Sequence, residues 1–123
     1  MSAVDTTKAE FWEIPHHRGV RAKLLMSGDS MTMIQVEFEP GSSGPEHVHP
    51  HEQIGFVLKG ELELKADGKT HALKEGYSYR IPPNVQHTMR GMGSGGTAVE
   101  IFHPVRKDLL ERQFTQRIQR PAA

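Results

Sequence analysis

Most of the chain consists of short runs in which hydrophobic and polar residues alternate, separated by Gly, Pro and Asp. In the run 31–39, Thr32, Ile34, Val36 and Phe38 occupy alternate positions and would therefore share one face of a β-strand. Turn residues recur about every eight to twelve positions, a spacing typical of all-β barrels and sandwiches. The pattern therefore predicts an all-β fold.

The segments with the pattern of a strand are residues 21–26, 31–39, 54–60, 61–64, 70–73, 77–81, 86–90 and 97–103. Pro40 and Gly41 are expected to end the second of these. Asp67 and Gly68 predict a two-residue hairpin, because a type I′ turn requires positive φ at both central positions. The glycine-rich run 91–96 predicts a flexible turn between the last two strands.

The segment 54–58 is hydrophobic at every position but one, which predicts that both faces of this strand are covered. A small barrel covers one face with its own core, so a second subunit would cover the other. The run 11–14 (Phe-Trp-Glu-Ile) adds apolar surface near the N-terminus. We therefore expect a homodimer.

The two ends of the chain differ from the middle. We expect residues 1–19 to form an N-terminal arm, residues 20–104 a single barrel domain and residues 105–123 a C-terminal tail. The tail has hydrophobic residues at helical spacing: Leu109, Leu110, Phe114 and Ile118. One short helix is therefore predicted between residues 105 and 120.

Composition limits the possible partners and chemistry. The 123 residues include 15 Lys and Arg and 15 Asp and Glu, so the formal net charge is zero. A neutral chain lacks the bulk attraction that holds nucleic acids or membrane surfaces, and neither partner is expected. The absence of Cys excludes disulfides and thiolate catalysis and suits a reducing compartment. With no long apolar run and no signal-like start, the chain is expected to be soluble and cytoplasmic.

Histidine is the unusual feature of the composition, with eight residues. His47 and His49 are two positions apart, so in an extended segment their imidazoles point the same way and could bind one metal ion. Gln53 has the same parity, and His87 belongs to a later strand. On a closed barrel these four side chains could converge.

The remaining histidines carry weaker signals. His51 and Glu52 are expected to be neighbours that orient the metal ligands through hydrogen bonds. No motif includes the other four, which are expected on the surface or at the rim: His16, His17, His71 and His103.

These residues resemble the two motifs of the cupin family. The first is Gly, five residues, His-x-His, three or four residues, Glu, six residues, Gly; it is matched by Gly41, His47, His49, Gln53 and Gly60, with Gln in place of Glu. The second is Gly, five residues, Pro-x-Gly, two residues, His, three residues, Asn; it is matched by Gly76, Pro82, Asn84, His87 and Gly91. Asn84 and Gly91 depart from the motif at positions that bind no metal. The resemblance implies a single-domain jelly-roll barrel of roughly six to eight strands around a metal site.

The implied cofactor is one divalent metal ion, Zn, Ni, Mn, Fe or Co, held by His47, His49, Gln53 and His87. Three neutral imidazoles and a neutral amide would leave the ion its full charge, which favours Lewis-acid chemistry on a bound carboxylate or carbonyl. The amide counts against dioxygenases and other cupins that use a carboxylate at this position.

Three segments resemble more closely the KdgF-type cupins of pectin and alginate breakdown: residues 37–41, residues 49–54 with their continuation 58–61, and residues 101–108. The resemblance implies a metal-dependent enzyme that converts a cyclic 4,5-unsaturated uronate, a carboxylated sugar, into its linear keto acid. It also implies that Glu100, Phe102 and Arg106 line the pocket as proton carrier, apolar wall and carboxylate clamp. Glu100 stands where these cupins usually have Asp.

The residue pattern leaves two of these roles open. Ala98, Glu100 and Phe102 share one face of their predicted strand, so Glu100 lies beside the metal if that face points inward. Otherwise it is a solvated side chain on an edge strand. Arg106 has an alternative as well, a helix cap or a surface ion pair near the predicted tail helix.

Two functions of other classes fit the same residues. One is a metal-dependent oxygenase or lyase acting on another small molecule, because a fold does not determine a reaction. Oxygen consumption after iron loading would favour it. The other is a non-catalytic sensor of a sugar or another small molecule. The full set of metal ligands and the lack of a DNA-binding segment both count against it.

Overall fold

One antiparallel sheet of seven strands surrounds the hydrophobic core in the computed structural model, which describes residues 2–111. The strands are β1 (Trp12–Glu13), β2 (Arg18–Ser27), β3 (Thr32–Ser43), β4 (Glu52–Ala66), β5 (Lys69–Lys74), β6 (Ser78–Ile81) and β7 (His87–His103). A 3-10 turn at Thr6–Lys8 precedes β1, and a helix over residues 107–111 follows β7. The all-β prediction and the short C-terminal helix are confirmed. The predicted helical positions Phe114 and Ile118 lie outside the described residues.

The strand order is β1-β2-β3-β7-β4-β5, with β6 paired to β4. The longest ladder joins β4 to β7 and runs from the pair Glu52 and His103 to the pair Ala66 and His87. Strand β3 pairs with the other edge of β7. Strands β4 and β7 therefore form the centre of the sheet, and they carry most of the residues discussed below.

The sequence pattern divided β4 and β7 incorrectly, because each is one long strand where two were predicted. The run 91–96 does not form a separate flexible turn but continues β7 through register shifts. Its glycines are needed where strands approach closely, since a Cβ on Gly91 would overlap the Glu39 carbonyl. Backbone without side chains lets a long strand bend and keep pairing, so the ladder continues.

Two local turn predictions have different outcomes. Asp67 and Gly68 join β4 to β5 with φ values of 52° and 73°, so the predicted hairpin is confirmed. Pro40 and Gly41 were expected to end a strand, but β3 continues through them to Ser43. Pro40 lies at a register shift, where a residue without an N–H group is tolerated.

The N-terminal segment is attached to the sheet. Strand β1 pairs with β2, and Trp12 is only 3% exposed within the core of its own chain. Trp12 therefore adds nothing to the surface that a second subunit could cover.

Within residues 2–111, no helix combines the length and hydrophobicity needed to cross a membrane.

Candidate metal centre and adjoining cavity

The backbone holds His47 and His87 side by side. The two residues form an isolated antiparallel bridge in which each N–H donates to the other's carbonyl, both at 2.9 Å. Opposite residues of such a pair direct their side chains to the same side. Their ring centroids are consequently only 4.3 Å apart.

His49 is placed by the turn that follows β6. The N–H of Asn84 donates to the His49 carbonyl at 2.9 Å, and Asn84 adopts the positive φ of 63° that its motif position requires. The His49 ring lies 4.9 Å from the His87 ring and 6.1 Å from the His47 ring. One nitrogen from each ring lies within 4.8 Å of the others, so the predicted histidine triad is brought together.

All three rings are held in the neutral state that metal binding requires. Burial lowers the pKa of His47 and His49 to about 4, and the neighbouring histidines and Arg106 act in the same direction. Burial also lowers the pKa of His87. Neutral imidazoles near pH 7 carry a free lone pair, and no proton must be displaced before an ion can bind.

Hydrogen bonds show which nitrogens carry these lone pairs. The Nδ1 atoms of His49 and His87 lie 3.1 Å and 2.8 Å from the carbonyl oxygens of His51 and Val85. Each Nδ1 must therefore be the protonated donor, which leaves Nε2 as the lone-pair nitrogen. His87 Nε2 is buried and has no hydrogen-bond partner among the described residues.

Gln53 brings another lone pair to the same point. Its Oε1 lies 3.1 Å from His49 Nε2, while its Nε2 donates a short hydrogen bond to Glu100 Oε2. The amide cannot rotate to offer an N–H to His49 without giving up its bond to a buried carboxylate. Two lone-pair atoms thus face each other beside the unpartnered nitrogen of His87. A cation satisfies all of these atoms together, so the four predicted ligands fit a divalent metal ion.

Glu100 lies inside the barrel, 5% exposed, and its Oε2 also accepts a hydrogen bond from the Tyr79 hydroxyl at 2.6 Å. Burial raises the pKa of Glu100, and the hydrogen bonds from Tyr79 and Gln53 act in the opposite direction. The residue is therefore an inward-facing carboxyl group, not a solvated side chain on an edge strand. The position of Tyr79 was not predicted from the sequence.

Phe102 lies next to His49, and Arg106 lies over the Phe102 ring. Phe102 is 3% exposed, with its ring 5.6 Å from the His49 ring and the Arg106 guanidinium 4.7 Å above it. Arg106 donates to both carboxylate oxygens of Asp108, at 2.9 and 2.7 Å, and this contact lowers the pKa of Asp108 to about 2. Arg106 thus lines the cavity, as the resemblance implied. It also forms the ion pair that the sequence left open as an alternative.

A cavity of about 360 Å³ joins these groups. Its lining includes the following residues named above: His47, His49, Gln53, His87, Glu100, Phe102 and Arg106. His51 and Glu52 are not among the lining residues described, although the His51 carbonyl orients His49 as expected. A volume of this size suits a small organic molecule.

His17 is the histidine whose place the sequence did not indicate. Its ring lies 5.3 Å from the His47 ring in an edge-on arrangement, and it lines the cavity from the N-terminal segment. Gly44 permits this position, because a Cβ there would overlap the His17 ring. A contact between segments so distant from each other leaves no periodic signal in the sequence.

The Cupin domain family model matches residues 34–102, which is more than half of the chain. This protein belongs to the cupin family. Among characterised relatives, the cupin is 31% identical over 93 residues to the pectin degradation protein KdgF of Dickeya dadantii, covering 75% of this chain and 84% of KdgF. It is also 33% identical over 82 residues to the HTH-type transcriptional regulator PuuR of Escherichia coli, where the match covers 63% of this chain and 44% of the regulator.

Solved structures agree with the family assignment. A KdgF from a Halomonas species superimposes with a TM-score of 0.80 at 23% identity, covering 89% of this chain and 98% of that one. An RmlC-like cupin from Shewanella frigidimarina gives a TM-score of 0.76 at 27% identity, covering 86% and 93% of the two chains. These similarities confirm the jelly-roll fold.

Proposed function

We propose that this cupin is a metal-dependent enzyme that converts a cyclic 4,5-unsaturated uronate into its linear keto acid. The observation that carries the proposal is the convergence of neutral lone-pair atoms next to a buried carboxyl group and a guanidinium in one cavity. The similarity to KdgF, a pectin degradation protein, supports the substrate class.

The reaction is an isomerisation. The bond between C1 and the ring oxygen breaks as the C1 hydroxyl loses its proton and C1 becomes an aldehyde carbon, and C5 becomes a ketone carbon as C4 gains a proton. A divalent ion held by His47, His49, Gln53 and His87 would supply positive charge that stabilises negative charge developing on a substrate oxygen. Glu100 is the group in this cavity suited to carry the proton, since both of its described hydrogen bonds end on Oε2 and leave Oε1 for a ligand.

Arg106 and Phe102 bind the substrate in this proposal. Asp108 occupies Nε and one Nη of the guanidinium, so further N–H donors remain for a substrate carboxylate. The buried ring of Phe102, between His49 and Arg106, offers an apolar surface to the sugar. Asp108 holds the guanidinium over that ring and so fixes where the carboxylate would bind.

We also propose that two copies of the chain associate through the outer face of β4. Ile54, Phe56 and Leu58 project from this face and are 46%, 45% and 44% exposed. A cytoplasmic location stays a prediction.

The test is to load the purified protein with each candidate metal and to follow the vinylic C4 proton of an unsaturated uronate by NMR. We expect the signal to disappear faster than in the spontaneous reaction. Glu100→Gln keeps the size of the side chain and one acceptor oxygen and should retain metal, while kcat should fall about a hundredfold or more. Arg106→Ala should chiefly raise KM, whereas Arg90→Ala, which removes an exposed arginine paired with Glu63, should change neither constant.

The contrary outcomes separate the alternatives. If no metal accelerates ring opening, the uronate proposal is wrong, and oxygen uptake with iron would point to an oxygenase. Uronate binding without turnover would point to a sensor. A wild-type rate in Glu100→Gln would remove the proton-carrier role but leave the substrate class intact.

A further inference from the structure

Tyr79, Gly55 and Glu100 form a row across three neighbouring strands. Gly55 of β4 pairs with Tyr79 of β6 on one side and with Glu100 of β7 on the other. Residues paired in this way present their side chains on the same face of the sheet. The three positions therefore lie side by side on the inner face, with the glycine in the middle.

Gly55 is what lets Tyr79 reach Glu100. A Cβ on Gly55 would overlap atoms of the Tyr79 ring, including the hydroxyl oxygen. Because that space is empty, the phenol extends over the glycine and its hydroxyl comes to 2.6 Å from Glu100 Oε2. Any larger residue at position 55 would push the ring away from the carboxyl group.

Tyr79 acts behind the carboxyl group and not within the cavity. The residues described as lining the cavity include Glu100 and Gln53 but not Tyr79. The hydroxyl and the Gln53 amide both donate to Oε2, so two directed hydrogen bonds restrict rotation of the carboxyl group. Burial raises the pKa of Tyr79 well above 10, so the hydroxyl stays a donor at neutral pH.

We propose that Tyr79 is a positioning residue that holds the Glu100 carboxyl group in its reactive orientation, and that Gly55 is the gap that makes this contact possible. The importance of the contact for turnover rests on the function proposed above. The described hydrogen bond of Tyr79 goes to Glu100, and Tyr79 is not among the residues that line the cavity. Its loss should lower kcat and leave KM and metal content unchanged.

The experiment compares Tyr79→Phe with Tyr77→Phe, which removes the chain's other phenol hydroxyl from a ring that is 50% exposed. Losing a hydrogen bond to a charged group should lower kcat about tenfold or more in Tyr79→Phe. Metal stoichiometry and KM should stay close to wild type, and Tyr77→Phe should match wild type in kcat as well.

Gly55→Ala tests the second half of the proposal. It keeps the Tyr79 hydroxyl but displaces the ring, so kcat should fall by a similar factor. The double variant with Tyr79→Phe should be no slower than the slower single variant, because both changes remove the same contact. Additive losses would contradict a shared contact, as would a fully active Gly55→Ala protein.

A measurement without substrate separates this proposal from the uronate reaction. A buried, hydrogen-bonded hydroxyl proton should give a slowly exchanging downfield proton NMR signal that is absent in Tyr79→Phe and retained in Tyr77→Phe. Absence of the signal in wild type would overturn the contact. With the signal present, equal kcat in wild type and Tyr79→Phe would overturn the catalytic importance of Tyr79. Wild-type protein that turns over no uronate would overturn only the proposed function, and the signal would still decide whether Tyr79 holds Glu100.

Discussion

The two faces of β4 between residues 53 and 58 both depart from the usual arrangement of polar and apolar groups. The inner face carries the buried Val57 but also Gln53, a 3% exposed amide, next to a glycine. The outer face carries Ile54, Phe56 and Leu58, each close to half exposed. Burying polar groups and exposing a row of apolar ones are both unfavourable in an isolated chain. We proposed above a cation for the inner face and a second copy of the chain for the outer face, and each would remove one of these unfavourable features.

The two faces differ in how closely they specify what binds to them. Inside, hydrogen bonds fix which atom of Gln53, His49 and His87 points to the centre, and lone pairs at fixed positions select a cation. Outside, apolar side chains define an area without directional bonds. Hydrophobic burial is non-directional, so the outer face favours association but does not determine its geometry.

The largest expected effect comes from removing ligands on the inner side. His47→Ala combined with His49→Ala should reduce bound divalent metal from about one ion per chain to nearly none, since two of four ligands are lost. Elemental analysis of protein purified without a tag would measure this. His71→Ala, an exposed histidine on β5, should keep the wild-type content. Stoichiometric metal in the double variant would show that these residues do not form the site.

A smaller effect is expected from changing the outer face. Phe56→Glu places a charge at the centre of the apolar row and should weaken dimerisation about a hundredfold or more, because that charge would be desolvated in the interface. Sedimentation velocity at micromolar concentration would detect the change, and metal content should stay the same. Met31→Glu introduces the same charge at another apolar residue of 50% exposure and should remain dimeric. A wild-type protein that is monomeric under these conditions would disprove the dimer.

The smallest expected effect is the pH dependence of the free energy of unfolding of the metal-free protein. Only residues on the inner side of the barrel should contribute to it. The pKa of His47 and His49 falls from 6.5 to about 4 on folding. Between these values the unfolded chain binds more protons than the folded one, so the free energy of unfolding should decrease as the pH falls from 6.5 towards 4. Urea unfolding at several pH values would measure the slope.

Glu100 opposes this trend, because burial raises its pKa and protonation at lower pH then favours the folded state. The Glu100→Gln background removes that contribution and should make the decrease steeper. Adding His47→Ala and His49→Ala to it should flatten the curve. An unchanged slope in that variant would mean that other groups cause the pH dependence. Phe56→Glu should not change the contribution of the histidines to the slope of the unfolding free energy against pH.

Much of the local structure was predictable because it depends on neighbouring residues. Alternation predicted the strands, and the Asp67-Gly68 turn followed from a backbone requirement of those two positions. The same kind of reasoning failed for the run 91–96, which was expected to be a turn. Gly91 is required there because Glu39 of a neighbouring strand lies against it, and that neighbour is distant in the sequence.

The candidate site likewise combines residues that the sequence predicted with residues that it did not. Motif spacing was enough to select the candidate ligands His47, His49, Gln53 and His87, which the structure brings together in the lining of one cavity. The two residues that support and extend this group, Tyr79 and His17, were not found from the sequence. Tyr79 depends on strand register across β6, β4 and β7, and His17 depends on the N-terminal segment folding against Gly44.

By itself, the sequence determined the type of element, the positions of the hairpin turn and the set of candidate metal ligands, since these follow from spacing along one chain. Only the tertiary structure decided which lone pairs meet, that Glu100 faces inward and that Tyr79 holds it. Those properties depend on sheet register, and a shift of one residue would turn Gln53 outward and Ile54 inward. Register is set by the packing of the whole barrel, which no local pattern encodes.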